Sequence, residues 1–544
     1  FWLKPFRLKL AVGKGHFSST YAGRIALTFN RLQMASKRQT PSLRVVSWNL
    51  AGVNNNPFEY WSMDTDYVGL MLQFEKLVFQ DSGPKVQSKF SERMFKGLLS
   101  KLQSKLKLDS TEVQTLKDKW AELKDMQISG FVQDEDIGQK RLLSWPDRFS
   151  QKRPTAIYGN FSSDWTVQDW WDKWLAFMFD KDPPFVKDLK KIDDKYKEPR
   201  TEERDVSVQL LHLAIFDCIM TAAALRLGIK TQVDTILKNM QQKNKLVREL
   251  LEKFMDNCAD VIFLQECPNN FMNDAEDEPW KRLLTTYSKY PEHVGLQQNM
   301  ILFSQKRFTR KQFEDCNGDH HGLATSVVVE DSHTGDVFFL STHHSDSEGQ
   351  QSLEAISESF ARAQDHGAHF VMGIDANTSP VHKPGKRQGV SDFIGHSKAM
   401  GLLSCLPDEG HTAFKARTKM QVQATKGIPG KDLFTKTVHK LKRSVLIPEK
   451  THADLCQKDF LLYAASGARC IGAGRCNKMH MKEIDWTHFE SGDASNASDA
   501  FDPVVLFPDW ISSDPNDIFP SDHALLYGML EFFRFKRRRI QPSV

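Results

Sequence analysis

Five short apolar runs, each marked by polar residues at one end, punctuate the chain. They are LRVVSWN, closing on Asn49; DVIFLQE, closing on Glu266; DVFFLSTHH, closing on His343 and His344; HFVMGIDAN, carrying Asp375 and Asn377; and KDFLLYA, opening on Asp459. Each has the length and apolar content of a buried strand. Helical spacing separates some of them. Leu246, Leu250, Phe254 and Met255 share a face before the second run, as do Leu353, Ile356 and Phe360 before the fourth. Strands alternating with helices predict an α/β architecture whose polar strand ends collect at one sheet edge. Scattered polar residues would then form a site.

Between the first two runs the pattern is helical almost throughout. YVGLMLQFEKLVF, MFKGLLSKLQSKLKL, WTVQDWWDKWLAFMF and the stretch from Val206 to Gly228 supply its apolar faces, so residues 62–245 read as a helical insertion. Trp165, Trp170, Trp171 and Trp174 sit at helical spacing, which favours core packing over base stacking. The stretch from Val206 to Gly228 is apolar enough to suggest a membrane span, but Gln209, His212 and Asp217 interrupt it. A buried helix ended near Gly228 is the better reading, with His212 a satisfied core histidine and no transmembrane segment.

Composition narrows the class. The 544 residues suffice for a large catalytic domain with an insertion, and 73 basic against 69 acidic residues leave a formal charge of only +4. An anionic substrate must therefore meet a local patch. One candidate is the Lys-, Gly- and Pro-rich stretch of residues 378–452, which follows Asp375 and Asn377 and reads either as a solvated loop or as a basic flap for a phosphate backbone. Eight scattered cysteines lack the dense spacing of a disulfide framework and indicate a reducing compartment, cytoplasmic or nuclear. The first forty residues contain no Asp or Glu, the composition of an organelle transit peptide, while Met34 offers a start immediately before the first strand. Both readings of residues 1–33 stand. The basic tail, residues 535–544, reads as a nuclear address or an anion patch.

The ordered series Trp48-Asn49, Leu264-Gln265-Glu266, Thr342-His343, Asp375-Ala376-Asn377, Asp459 and Ser521-Asp522-His523 resembles the endonuclease/exonuclease/phosphatase superfamily, the deoxyribonuclease I-like fold. NMILFSQKRF, Asn299 to Phe308, is similar to a strand of its exonuclease and phosphodiesterase members. The resemblance covers residues 43–61 and 246–534 and implies a four-layer α-β-β-α sandwich, preceded by a leader over residues 1–42 and interrupted by the insertion. It implies that Glu266 is the main metal ligand, with Asp522 completing the site, and that the ion is Mg²⁺, with Mn²⁺ as the alternative. Asn49 would position metal or phosphate, Asp375 would orient or deprotonate the attacking water, and Asn377 would orient phosphate and water. His523 would stabilise the phosphate with Asp459 fixing its tautomer, and His343 would be the second imidazole, with His344 its substitute.

These residue types suit the chemistry independently. Phosphate ester hydrolysis needs an oriented water, stabilised phosphoryl oxygens and help for the leaving oxygen, and carboxylates and carboxamides are hard ligands for Mg²⁺. Two departures from the pattern stand out. The glycine of Gly373-Ile374-Asp375 is shifted by one position, and the gap from Asp459 to Asp522 leaves Asp485 as a rival partner for His523. Asn54, Phe58 and Trp61 follow the first strand and offer amides and rings to a nucleobase, or simply a turn into the insertion. The leading expectation is a phosphodiesterase acting on nucleic acid, RNA before DNA. The alternatives are a phosphatase for inositol phosphate, lipid or a small phosphorylated metabolite, and an inactive scaffold of the same fold.

Overall fold

The computed structural model describes residues 42–52, 83–133, 152–180, 206–256, 259–268, 278–292, 298–311, 323–346, 349–379, 388–406, 412–417, 452–479 and 518–533, with a few single positions between them. Its strands are β1 (Ser42–Asn49), β2 (Val261–Cys267), β3 (Tyr287–Tyr290), β4 (Gln298–Ser304), β5 (Phe308–Arg310), β6 (Thr325–Asp331) and β7 (Val337–His344). They continue as β8 (His369–Asp375), β9 (Leu402–Ser404), β10 (Ala413–Arg417), β11 (His452–Cys456), β12 (Asp459–Ala464), β13 (Ala468–Cys476) and β14 (Leu525–Phe532). Between β1 and β2 lie helices α1 (Glu92–Leu106), α2 (Ser110–Leu123), α3 (Ile128–Gln133), α4 (Val167–Leu175), α5 (Val206–Leu227), α6 (Lys230–Gln241) and α7 (Lys243–Asp256). Later come α8 (Glu278–Thr286), α9 (Ser352–Asp365) and α10 (Val390–Ala399).

Strand alternation decides the layers. Two six-stranded sheets form, in the orders β13-β14-β1-β2-β4-β3 and β5-β6-β7-β8-β12-β9, and β10 pairs with β11 as a separate ribbon. Val45, Phe263, Ile301 and Leu526 of the first sheet meet Val327, Leu340, Val371 and Leu461 of the second in a shared core. Their neighbours face outward, as side chains on a pleated strand must. Val46, Trp48, Ile262 and Leu264 pack under the helices of the segment between β1 and β2. Phe339, Phe370, Met372 and Phe460 pack under α9 and α10 through Ile356 and Phe393. The result is the expected four-layer α-β-β-α sandwich. Strands buried on both faces read in sequence as unbroken apolar runs, which is why the five were legible.

The helices between β1 and β2 share one continuous apolar cluster with the outer face of the first sheet. Their starts are set by local chemistry. Ser91, Asp109 and Thr166 each accept a hydrogen bond from a backbone N–H in the first turn of the following helix. Helix α5 is long and apolar enough to cross a membrane, yet 83% of its most apolar window is buried inside the protein. Its Asp217 is fully buried, where it accepts from Arg153 Nε at 2.7 Å, Arg153 Nη2 at 3.3 Å, Thr155 Oγ1 at 2.8 Å and Trp174 Nε1 at 3.0 Å. Trp170, Trp171 and Trp174 are buried, the last two stacked with centroids 5.4 Å apart. His212 is buried too, against Phe131, but its Nε2 has no hydrogen-bond partner. It is thus a core histidine without the satisfaction expected of one, and burial pushes its pKa down to about 4.

Candidate active site

Strand direction brings the polar ends together. β1 and β2 run parallel, so Asn49 and Glu266 end at the same edge. β14 runs antiparallel to β1, so the residues that precede it, Ser521, Asp522 and His523, begin there. In the second sheet β7 and β8 are parallel, and β12 is antiparallel to β8 with Asp459 opposite Asp375. A residue at the end of a parallel strand and one at the start of an antiparallel strand therefore meet. Residues spread from position 49 to position 523 share one edge of the sandwich.

Asn49 is fully buried and joins the two sheets. Its Nδ2 donates to Asp375 Oδ2 at 2.7 Å and lies 3.3 Å from Glu266 Oε1, while its Oδ1 accepts from the Ala51 N–H at 2.8 Å. Asp375 is held from its other oxygen by the Asn377 N–H at 2.8 Å. Three side-chain-bearing residues here adopt left-handed backbone: Ala51 at φ 48°, Glu266 at φ 49° and Asn377 at φ 47°. Asn tolerates that region, whereas Ala and Glu do so only when the surroundings impose it. For Glu266 the imposition is a register shift between Leu264 and Cys267 in the β2–β4 pairing, which re-aims its side chain. Gly52 seals this corner, because a Cβ there would lie 2.1 Å from the Glu266 carbonyl oxygen.

Asp459 and His523 form the second half. His523 Nδ1 lies 3.1 and 3.0 Å from the two Asp459 oxygens, both side chains buried. Burial opposes a charge on His523, but Asp459, Asp375 and Asp522 outweigh it and raise its pKa to about 9. The Thr412 hydroxyl donates to Asp459 Oδ2 at 2.7 Å and accepts from the backbone N–H groups of Lys458 and Asp459. Ser521 Oγ donates to the Asn49 carbonyl at 2.6 Å and accepts from the His523 N–H at 3.1 Å. Thr412 has no sequence signal, since it sits in a stretch that reads only as a basic loop. Ser521 belongs to the tripeptide motif but carried no role there.

The two adjacent histidines separate by strand parity. His344 lies on the face shared by Leu340 and Thr342, with Nε2 3.0 Å from Glu266 Oε1 and 3.6 Å from Asp375 Oδ2. His343 turns the other way, its Nδ1 2.8 Å from the Leu323 carbonyl and its Nε2 buried without a hydrogen-bond partner. Burial lowers its pKa to about 4. Burial also opposes charge on His344, yet Glu266 and Asp375 prevail and hold its pKa above the ordinary imidazole value. Asp522 is buried with Oδ1 3.9 Å from His523 Nε2. Asn54, Phe58, Trp61 and Asp485 lie outside the described residues.

Gly373 accounts for the shifted glycine. A Cβ there would sit 2.5 Å from Phe263 Cβ and 2.6 Å from Ser47 Oγ, so the two sheets touch through its missing side chain. Beside it Gln265 Nε2 donates to Ser47 Oγ at 3.1 Å, Thr342 Oγ1 at 2.9 Å and the Gly373 carbonyl at 3.3 Å. This polar tie sets the spacing of the strand ends.

Among the described residues, two groups hold ligand atoms within 4.8 Å of one another: Glu266, His344 and Asp375, and Asp375, Asp459 and His523. In the second group His523 Nδ1 is already engaged by Asp459. In the first, Glu266 and His344 are partly exposed, so an ion can enter. Carboxylates and an imidazole are an apt donor set for a divalent cation.

A sequence family described as a domain of unknown function (DUF8234) matches residues 83–236, wholly between β1 and β2. No curated protein matches the chain. Similar solved structures include the human Nocturnin catalytic domain with bound sulfate, at 13% identity over 54% of this chain and 87% of that one, TM-score 0.30. Truncated Caenorhabditis elegans TDP2 aligns at 14% identity over 54% and 92%, TM-score 0.29. An endonuclease/exonuclease/phosphatase from Bacteroides vulgatus aligns at 12% identity over 53% and 91%, TM-score 0.31.

Proposed function

We propose that the protein is a divalent-metal-dependent phosphodiesterase that hydrolyses nucleic acid, RNA in preference to DNA. The reading is carried by the meeting of Asn49, Glu266, Asp375, Asn377, Asp459 and His523 at one sandwich edge, joined through Asn49 and the Asp459–His523 pair. Glu266, with Asp375 and His344 beside it, would hold the ion, which would supply positive charge to the phosphoryl oxygens. His523 faces Asp459 through Nδ1, so Nε2 donates to the scissile phosphate as charge builds there. Asp375, its carboxylate fixed from both oxygens, orients the attacking water and takes its proton. Asn49 and Asn377 act by positioning: Asn49 holds Glu266 and Asp375 together, and the Asn377 N–H fixes the Asp375 carboxylate.

A polymeric substrate is favoured by the sequence between β10 and β11, where residues 418–451 carry seven Lys and one Arg against one Asp and one Glu. The first residue of the β10–β11 ribbon, Ala413, bridges to His523. Basic residues in that number suit a phosphate backbone. The preference for RNA rests on the likeness of NMILFSQKRF to exonuclease and phosphodiesterase strands. The deciding experiment incubates the purified protein with labelled single-stranded RNA, single-stranded DNA and inositol phosphates, with Mg²⁺ or Mn²⁺, beside Glu266→Gln. Nucleotide release by the native protein alone supports the proposal. Inorganic phosphate without nucleotides would replace it with a phosphatase, and silence on every substrate would overturn it.

A further inference from the structure

His344 Nε2 has two neighbours that ask opposite things of it. Glu266 Oε1, at 3.0 Å, favours an N–H, whereas Asn377 Nδ2, at 3.1 Å, offers an N–H of its own. The Asn377 amide cannot turn to relieve this, because the same Nδ2 donates to the Ser345 carbonyl at 3.0 Å. A protonated Nε2 opposes Asn377, and a bare Nε2 opposes Glu266. A cation bound to both Nε2 and Oε1 would take the imidazole lone pair and the carboxylate charge together, while Asn377 Nδ2 keeps its hydrogen bond to the Ser345 carbonyl.

The distance fits. Two ligands about 2.1 Å from one ion and at right angles to each other stand about 3.0 Å apart. Asp375 Oδ2, 3.6 Å from the imidazole nitrogen, completes the group. The placement is built into the fold, since the parallel register sets His344 opposite Asp375 at the strand ends, and the Gln265 tie holds the β2 end against it.

We propose that His344 is a metal ligand, making this a mixed carboxylate and imidazole centre that selects a first-row transition ion over Mg²⁺; the inference rests on the metal-dependent reading above. Mg²⁺ favours oxygen donors and keeps its waters, whereas an imidazole nitrogen strengthens binding of softer divalent ions. Mn²⁺ is the sharpest probe, because it shares the octahedral oxygen chemistry of Mg²⁺ and a difference between them reports on the nitrogen.

The test uses the full chain stripped with chelator, titrated calorimetrically with Mg²⁺ and with Mn²⁺, and pulsed EPR of the Mn²⁺-loaded protein to detect coupling to ¹⁴N. The native protein should bind Mn²⁺ at least tenfold more tightly than Mg²⁺ and show nitrogen coupling. His344→Ala should lose the coupling and most of the preference. His344→Asp, which restores an oxygen donor, should bind Mg²⁺ without coupling and serves as the folded control. Mn²⁺ bound without nitrogen coupling, with the same preference in His344→Ala, would overturn the inference while leaving a metal-dependent hydrolase in place. No binding of either ion by the native protein would overturn both.

Discussion

Asp217 in the helical layer and Asp375 at the sandwich edge are both carboxylates removed from water, yet their surroundings are opposite. Asp217 meets one guanidinium, one hydroxyl and one indole N–H, so a single negative charge is matched by a single positive one. Asp375 meets two amide donors, and the charged groups around it are the carboxylates of Glu266 and Asp459 and two imidazoles. The crowd of carboxylates raises both imidazole pKa values. A buried charge that its own chain neutralises holds structure. One left among like charges and titratable rings has the surroundings that the proposed metal and proton-transfer roles require.

The sharpest way to break this contrast is to neutralise each region in turn. Glu266→Gln and His523→Ala should each lower turnover about a hundred- to ten-thousand-fold, the first with little loss of melting temperature and the second with a partial loss, because it leaves the buried Asp459 without its imidazole. A variant that unfolded instead would place the site on the structural side of the comparison. Asp217→Ala should do the reverse, costing about 3–5 kcal/mol by stranding Arg153 without its partner. Urea denaturation reads this directly, and the fraction still folded should bind divalent ions as the native protein does.

Acidity separates the regions next. His212 has a folded pKa of about 4, below the ordinary value near 6.5 that it regains on unfolding, so the unfolded chain binds the extra proton. Stability present above pH ~6.5 is lost as pH falls toward 4, by roughly 3 kcal/mol for this one group. His343 adds in the same direction. His523, raised to about 9, acts on the other side. In metal-free protein its contribution is full below pH ~6.5 and disappears as pH rises through 9. Denaturation from pH 4 to 10 should show both arms, with His212→Leu reducing only the acid one. An unchanged acid arm in that variant would remove His212 from the account.

The smallest expected effect is at the contact between the sheets. Gly373→Ala should cost about 1–3 kcal/mol through overpacking against Phe263 and also slow turnover, since the same contact spaces Asn49 from Asp375. Loss of stability with turnover untouched would separate sheet packing from site geometry.

The legible strands were those buried on both faces. β13 was not among them, because ARCIGAGRC lacks an apolar run: Gly472 and Gly474 make room for the rings of Phe489 and Tyr527, where a Cβ would fall 2.0 Å and 2.3 Å from their nearest atoms. The Ser-Asp-His tripeptide precedes β14, and the antiparallel pairing of β14 with β1 is what brings it to the edge where Asn49 ends. Sequence also singled out a pair of histidines without dividing their roles. Parity along β7 turns one toward Glu266 and the other toward the Leu323 carbonyl.

The order of polar strand ends, the helical segment between β1 and β2 and the burial of α5 followed from the sequence alone, because each is written in local periodicity and residue type. The partners of those residues did not. Arg153 meets Asp217 across 64 positions and Asn49 meets Asp375 across 326, and Thr412 reaches Asp459 from a stretch with no pattern of its own. Local propensity carries no information about such distances. They are decided when two sheets stack and strand direction assigns every end to one edge.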